Sequence, residues 1–495
     1  MKVKIRIDEQ ARDFFSLITK VMLLNPFIDE RTEVLIRISS DYTYDLNPRG
    51  IESRVLAPLL NTRIDTLEQQ GVKTIQHVEK EDQLLIRDVF LLQVYLRHMQ
   101  HFDNLIHEQI ELGNKTVAVT FAKQLISDLK SRGLLLEDCL HYLALFYQFR
   151  RAFYFIDRAL VGDSPSMKAL RLHLWNNVFT SDMRTYDTLL WNRMEDFSTI
   201  LLGETGSGKG SAAAAIGRSG FIPFDDQKMQ FMHNFTETFI AINLSQYPQS
   251  LIESELFGHR KGAFTGAVED HKGLFERCSA YGSLFLDEIG DLAIPNQIKL
   301  LQVLQERTFA PVGSHINKRF EGRVIAASNQ SIQRLRSERK FRDDFFYRLC
   351  SDIIIVPTLR QRIEELPSEL EQMVNLLVNR MTGQESTHLT DKIIETLNCD
   401  LPPNYDWPGN VRELEQAVRR ILLSRHYRVT EMEKESALEE TLVQKIRSGS
   451  IKAKDLLSQY CAFLYKQFGT YEEVARCTGL DRRTVKKYLP DALLK

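Results

Sequence analysis

Apolar positions recur at spacings of three and four along QLLIRDVFLLQVYLRHM (Gln83–Met99), which predicts a helix with one buried face. The same spacing predicts a second long helix over CLHYLALFYQFRRAFYFIDRAL (Cys139–Leu160). Its aromatic residues Tyr142, Phe146, Phe149 and Phe153 read as core or dimer contacts rather than a ligand cage. Nearer the start, VKIRI (Val3–Ile7) and EVLIRIS (Glu33–Ser39) are short apolar runs that predict strands. VGDSPSMKAL (Val161–Leu170) reads as a linker into a new domain, with Ser164 as N-cap and Pro165 at the first helical position. Glycine punctuation concentrates between residues 200 and 330, and the remainder of the chain reads as helix with a few proline breaks. Neither a fixed-period repeat nor a low-complexity tract is present.

Composition narrows the class. The chain has 495 residues, which at roughly 150 per domain gives about three domains. With 43% apolar and 26% charged residues it resembles a soluble globular protein, which excludes disorder over most of its length. A net charge of −2 excludes a general polycation, so any nucleic-acid contact must come from a local basic surface. Six cysteines without a C-x-x-C pair argue against a zinc ribbon and for a reducing compartment. The N-terminus lacks the apolar core of a signal peptide. The most apolar stretch, Leu134–Phe149, carries Glu137, Asp138 and His141, so no membrane span is expected and the location expected is cytoplasmic. His98, His101 and His107 read as surface or core histidines, not as a metal site.

The first chemical signal is STILLGETGSGKGSAAAAIG (Ser198–Gly217), a buried-strand run, a glycine loop and a helix start, in the order a P-loop requires. The loop runs Gly203, Glu204, Thr205, Gly206, Ser207, Gly208, Lys209, Gly210, Ser211. Its glycines let backbone N–H groups turn inward around phosphate, Lys209 adds a point charge, and the helix N-terminus adds its dipole. One position departs from the general pattern: Gly210 stands where a Ser or Thr would give Mg²⁺ a hydroxyl, and Ser211 follows it.

GSLFLDEIGDL (Gly282–Leu292) is a second signal, an apolar strand ending in Asp287 and Glu288. A strand-end Asp holds Mg²⁺ and the neighbouring Glu polarises the attacking water, so the pair points to ATP hydrolysis. No N-K-x-D motif reads guanine; NKRF (Asn317–Phe320) does not match it.

Between these motifs lies ESELFGHRKGAFTGAVEDHKGLFERC (Glu253–Cys278). Its centre is Gly262, Ala263, Phe264, Thr265, Gly266 and Ala267. Small residues permit tight turns, and Phe264 is costly in water without a partner. The segment reads as a loop with an aromatic tip, or as a surface turn with Phe264 folded back inside. ELFGH (Glu255–His259), GAFTGA and the LFLDE strand together resemble the AAA+ domain of bacterial enhancer-binding proteins, the ATP-driven activators of sigma-54 RNA polymerase. The similarity runs from about Val161 to Arg425.

That resemblance implies an α/β fold: an AAA+ P-loop core with a helical lid, an N-terminal α/β regulatory domain and a C-terminal helix-turn-helix. It implies ATP and Mg²⁺ as cofactors, with Asp287 as the metal residue. Phe264 and Thr265 would touch sigma-54. Asn243, in FIAINLS (Phe239–Ser245), would restrain Glu288, and Asn329, in VIAASNQ (Val324–Gln330), would read the γ-phosphate. FRDDFFYRL (Phe341–Leu349) would supply arginine fingers, Arg342 and Arg348, to the neighbouring subunit of a ring, by analogy a hexamer. LRQRIEELP (Leu359–Pro367) fits the start of the lid, with Glu365-Leu366 where the family has Asp-Ile. DWPGNVREL (Asp406–Leu414) fits the sensor II helix, with Arg412 aimed at phosphate. Phe221–Glu237 departs from the family and is expected as a small insertion.

At the C-terminus, DLLSQYCAFLYKQFG (Asp455–Gly469), TYEEVARCTGL (Thr470–Leu480) and DRRTVKKYL (Asp481–Leu489) predict three helices with Gly479 in the turn. Asp481 would cap the last, Val485 and Leu489 would face the core, and Arg482, Arg483, Thr484, Lys486 and Lys487 would face DNA. The organisation expected is a regulatory domain of unknown signal over 1–160, an ATPase subdomain over 161–357, a lid over 358–430, a linker over 431–453 and a DNA-binding domain over 454–495. The function implied is activation of transcription from upstream promoter DNA by remodelling sigma-54 RNA polymerase. The alternative is a repressor or nucleotide-gated scaffold that keeps the fold without opening promoters.

Overall fold

The computed structural model describes residues 4–38, 55–427 and 452–489. They divide into two compact units, one within residues 1–387 and 409–415, the other within 388–408 and 416–495.

The first unit opens with helices α1 (Glu9–Leu23), α2 (Asp29–Ile38), α3 (Ala57–Gln69), α4 (Gln83–Leu112), α5 (Ala122–Ser131) and α6 (Leu136–Ala159). The N-terminal region, expected as α/β, is thus helical over its described residues. The strand predicted over Glu33–Ser39 is corrected to helix α2; Ser39 itself lies outside the described residues. Asp29 and Glu30 favour the positive end of that helix, and Val34 and Leu35 are buried while Ile36 is exposed, a helical rather than an alternating pattern. In the described part of VKIRI, residues 4–7, only Ile5 makes a bridge, parallel to Val78. Helix α4 runs past the predicted Met99 because Phe102, Leu105 and Ile106 continue its buried face as far as Gly113, whose φ of 62° ends it.

A central sheet comes next in the chain. Its strands are β1 (Thr199–Leu202), β4 (Phe239–Asn243), β5 (Ser283–Asp287), β8 (Arg323–Ser328) and β9 (Asp352–Ile355); hairpins β2 (Phe224–Asp225) with β3 (Gln230–Phe231), and β6 (Thr308–Phe309) with β7 (Lys318–Arg319), stand apart. The five strands lie in the order β4-β5-β8-β1-β9, all parallel. Every residue of β8 is buried, as expected of a strand covered on both faces. Parallel pairing places the C-terminal ends of neighbouring strands together: Asn243 lies beside Asp287, and Leu202 beside Ser328. Ligands in open α/β sheets sit at this edge.

One hydrophobic cluster runs from α4 and α5 through α6 and α7 (Pro165–Phe179) into the P-loop helix Lys209–Gly217. Ala212, Ala213 and Ala215 are buried, and their lack of side chain beyond Cβ lets α6 pack closely on that helix. The segment Phe221–Glu237, expected as an insertion, forms the β2–β3 hairpin with its flanks and packs on the same helices: Phe231 stacks on Tyr147 at 3.9 Å, and Phe235 meets Phe155 edge-on.

Ser164 occupies the N-cap of α7 with Pro165 in the first turn, as the sequence implies. Its hydroxyl does not cap the helix; it points instead to Glu369 on the helix Ser368–Thr382. Glu369 is fully buried and pairs with Arg362 at 2.8 Å. It also accepts from the N–H groups of Asp163 and Ser164, while Arg362 donates to the Val161 carbonyl at 2.6 Å. This pair ties the linker at 161–164 to the helices at the start of the lid.

In the second unit, the helices Ala453–Phe468, Tyr471–Thr478 and Arg482–Tyr488 enclose Cys461, Leu464, Val474, Val485 and Leu489. Glycines with positive φ, Gly469 at 72° and Gly479 at 69°, separate them. Thr470 and Asp481 accept from the N–H groups of Glu473 and Arg483 as N-caps. The expected linker 431–453 lies outside the described residues except for its last two.

Substituting Glu369→Gln leaves the Arg362 charge buried without its partner. Denaturant unfolding is expected to register a loss of about 3 kcal/mol. A loss below about 1 kcal/mol, the range of a surface pair, would contradict this account of the linker.

Candidate nucleotide site

The loop after β1 turns on Gly206 (φ 77°) and Gly208 (φ 109°), conformations that side chains disfavour. A Cβ on Gly206 would stand 2.2 Å from the Gly409 carbonyl oxygen, so the loop and the entry to the helix Asn410–Ser424 require a glycine there. Val411 donates its N–H to the Gly206 carbonyl at 3.1 Å. Lys209 is buried and donates to the carbonyls of Gly203 at 2.9 Å and Glu204 at 3.1 Å. Burial lowers its pKa, opposed by the carboxylates of Glu288 and Asp287.

Residues Thr205 to Ser211, Asn243, Asp287, Glu288 and Arg412 line one cavity of about 380 Å³. Apolar Leu160, Val161, Met167, Leu170, Val356 and Leu377 also line it, together with Arg362, Arg380 and Glu415. A lining that combines cationic and apolar side chains suits a molecule with both phosphates and a flat ring. Asp287 and Glu288 both have pKa values raised by burial. Glu288 adopts the left-handed conformation (φ 56°) and accepts from the Asn329 backbone N–H at 3.2 Å. The Asn329 side chain donates to the Thr205 hydroxyl at 3.0 Å, joining the end of β8 to the P-loop.

Asn243 differs from expectation. Its amide reaches Asp287 at 3.4 Å, while its carbonyl oxygen accepts from Ser245. The strand register explains this, because Asn243 is the direct partner of Asp287, not of Glu288. Neither Arg342 nor Arg348 lines the cavity. Arg342 makes a two-pronged pair with Asp344, and Arg348 donates twice to the Leu304 carbonyl near the end of the helix Ile294–Glu306. Two residues that sequence reading passed over hold the P-loop acid: Arg360 pairs with Glu204, and Asn410 donates to Glu204 and to the Thr205 carbonyl, each at 3.1 Å. Arg360 lies within the lid motif and Asn410 within the sensor II motif, so adjacency to Leu359 and Arg412 was the available signal.

A divalent cation can be tested against these side chains. A Cβ on Gly210 would meet nothing within 4 Å, so space without a donor stands where P-loops commonly have a hydroxyl. The Ser207 hydroxyl is buried without a hydrogen-bond partner, and Asp287 is a half-buried carboxylate facing the same cavity. No cluster of three or more His, Cys, Asp or Glu among the described residues could hold a metal ion. The donors therefore fit a cation that completes its coordination with phosphate oxygens and water, as Mg²⁺ does.

The GAFTGA segment is a closed turn. Gly262 donates to the Ala267 carbonyl at 2.8 Å and Ala267 to the Phe264 carbonyl at 3.0 Å. Phe264 is 40% exposed, with one edge on His259 at 4.9 Å, so it is neither free nor folded inside. The neck below is pinned by the His259–His271 bridge and the Arg260–Asp270 pair. Gly258 and Gly273 touch there; a Cβ on Gly273 would lie 2.2 Å from the Gly258 nitrogen. A second loop, missed in the sequence, braces it: Val312 bridges His259, and Gly313 packs against Ala263. In the other unit, Arg482, Arg483, Lys486 and Lys487 are exposed, Thr484 is half-buried, and Arg482 pairs with Glu472.

A parallel five-stranded sheet with a P-loop and a strand-end acid pair is the architecture of a P-loop nucleotide-binding fold. Residues 182–354 match the sigma-54 interaction domain, and residues 360–455 match the AAA+ ATPase lid domain. Residues 182–354 thus carry a domain similar to the sigma-54 interaction domain, followed over residues 360–455 by one similar to the AAA+ ATPase lid. It is 38% identical over 267 residues to the DNA-binding transcriptional regulator NtrC of Azospirillum brasilense, covering 53% of this chain and 47% of that one. It is 38% identical over 271 residues to the Nif-specific regulatory protein of Azotobacter vinelandii (54% and 45% covered). It is 37% identical over 278 residues to the regulatory protein AtoC of Escherichia coli K12 (54% and 56% covered). The chain thus spans about half the length of these relatives. A crystal structure of NtrX from Brucella abortus superposes with a TM-score of 0.40 at 20% identity, covering 76% of this chain and 81% of that chain, a likeness too distant to add weight.

Replacing Lys209 with Met is expected to weaken binding of a fluorescent ATP analogue about ten- to a hundredfold, the ~1.5–3 kcal/mol of a charge-assisted hydrogen bond. Unchanged affinity in the folded variant would mean that nucleotide is held elsewhere.

Proposed function

We propose that this protein is an ATP-dependent activator that binds upstream promoter DNA and remodels the closed complex of sigma-54 RNA polymerase into an open one. The observation that carries the reading is the half-exposed Phe264 turn on its glycine neck, set in the chain between the strands that end in Asn243 and Asp287.

In this reading ATP enters the cavity with its base against Leu160, Val161 and Leu377 and its phosphates over the P-loop and Arg412. Mg²⁺, held by Asp287 and the phosphates, would neutralise charge on the transferred group. Glu288 takes a proton from water as the water oxygen bonds to the γ-phosphorus; the bond to the bridging oxygen breaks, and ADP and phosphate result. Burial favours the protonated form of Glu288 and strengthens it as a base once ionised. Asn329, bonded to both Glu288 and Thr205, senses loss of the γ-phosphate. Asn243 relays the state of Asp287 to the segment that carries the loop. Arg342 and Arg348 belong to a neighbour's site in a ring, by analogy a hexamer, after leaving Asp344 and the Leu304 carbonyl. Arg482, Arg483, Thr484, Lys486 and Lys487 contact DNA. Residues 1–160 carry the regulatory input, ahead of the ATPase subdomain, lid, linker and DNA-binding domain, and the protein works in the cytoplasm.

The test is promoter melting. Full-length protein, sigma-54 polymerase and a sigma-54 promoter are incubated with ATP, and unpaired thymines are read by permanganate. Melting that needs ATP and is lost in Phe264→Ala is expected. ATP hydrolysis with normal promoter binding but no melting would favour a repressor or nucleotide-gated scaffold.

A further inference from the structure

Arg151 on α6 is fully buried, yet no carboxylate among the described residues pairs with it. Taking a charge out of water costs several kcal/mol unless something replaces the water. Here the replacement is the end of the P-loop helix. Arg151 donates to the Arg218 carbonyl at 2.8 Å and to the Gly220 carbonyl at 2.7 Å. Gln148, one turn earlier, donates to the Ser219 carbonyl at 2.9 Å. These carbonyls directly follow the helix Lys209–Gly217, where the helix dipole is negative. The ring of Tyr147 lies 4.3 Å from the guanidinium. Burial lowers the Arg151 pKa to about 10, which still leaves it charged at neutral pH.

The opposite face of Tyr147 is taken by the insertion, through its stack on Phe231. The insertion also grips the turn between α4 and α5: Val119 donates to the Met229 carbonyl at 2.8 Å, and Asn234 donates to the carbonyls of Gly113 and Lys115 at 2.6 and 3.0 Å. A nine-residue helix moves as one rod, with Lys209 at its first turn and the Arg151 contact just past its last.

We propose that Arg151 is a positioning residue of the nucleotide site: from the N-terminal helices it holds the far end of the P-loop helix and so sets where Lys209 meets phosphate. The insertion locks α6 in place, which makes α6 the element through which residues 1–160 reach the site. A neutral side chain would fill the space without the cost of a buried charge, but it could not satisfy two carbonyls at the end of a short helix. This inference rests on the reading of the cavity as a nucleotide site.

The test uses full-length protein with Arg151→Lys and Arg151→Met, and Leu129→Ala in α5 as a control that loosens the core away from the contact. Two readouts are taken: affinity for a fluorescent ATP analogue, and amide hydrogen exchange of residues 209–217 without nucleotide. The expected result is about tenfold weaker binding and about tenfold faster exchange in Arg151→Met, intermediate values in Arg151→Lys, and neither change in Leu129→Ala. Unchanged exchange in both Arg151 variants, or an equal effect in Leu129→Ala, overturns the inference. If neither Arg151 variant folds, Phe231→Ala decides by the same two readouts. Wild-type protein that binds no ATP analogue refutes the nucleotide reading, while the exchange readout still judges the positioning role.

Discussion

Parallel strand pairing is the constraint on which the site depends. The register that sets Asn243 beside Asp287 and Leu202 beside Ser328 brings the ends of four strands to one edge. Loops leaving that edge carry the P-loop, the acid pair and Asn329. The polar groups of the P-loop and the acid pair gather in one cavity, with Asn329 bonded to Glu288 and Thr205, because the strands below them are buried and cannot slip without moving a whole apolar face. The burial that raises the pKa of Asp287 and Glu288 and lowers that of Lys209 follows from the same enclosure.

Much of this was legible in the sequence. The apolar runs TILL and SLFLD, each followed by its chemical residues, predicted strands that end at the site. Local signals of turn chemistry also served well: Pro165 in the first turn of α7, and Gly479 and Asp481 in the C-terminal helices. The parts that were not legible depended on partners distant in sequence. EVLIRIS has the composition of a strand, but its described part packs as a helix whose buried residues are Val34 and Leu35. The restraint expected between Asn243 and Glu288 falls on Asp287 because register, invisible in one sequence, decides the pairing. No sequence pattern marks Arg362 and Glu369, seven residues apart, as the buried pair they form. Nor does the sequence mark Arg151, whose partners lie 67 and 69 residues further along the chain.

Two mechanical links lead away from the cavity. One, in the proposed reading, runs from Asn243 at the end of β4 along the chain to the Phe264 turn, whose glycine neck is braced by Val312 and Gly313. The other passes along the P-loop helix to Arg151 and the N-terminal helices. The linker at 161–164 joins the lid helices through Glu369 and borders the same cavity at Val161. A nucleotide filling this space therefore touches, within one compact unit, the loop-bearing strands, the lid and the helix held by α6. Interactions of this kind give ATP binding the differential contacts that a conformational change requires.

The central claim is that the nucleotide state governs the Phe264 turn. The most direct measurement is capture of sigma-54 protein by full-length protein in ADP, ATP and ADP with aluminium fluoride, a mimic of the transferring phosphoryl group. Capture confined to the transition-state mimic, or at least about tenfold stronger there, a difference of ~1.4 kcal/mol, is the predicted result. Equal capture in all nucleotide states would contradict the account, since sigma-54 contact would then be independent of the chemistry at Asp287 and Glu288.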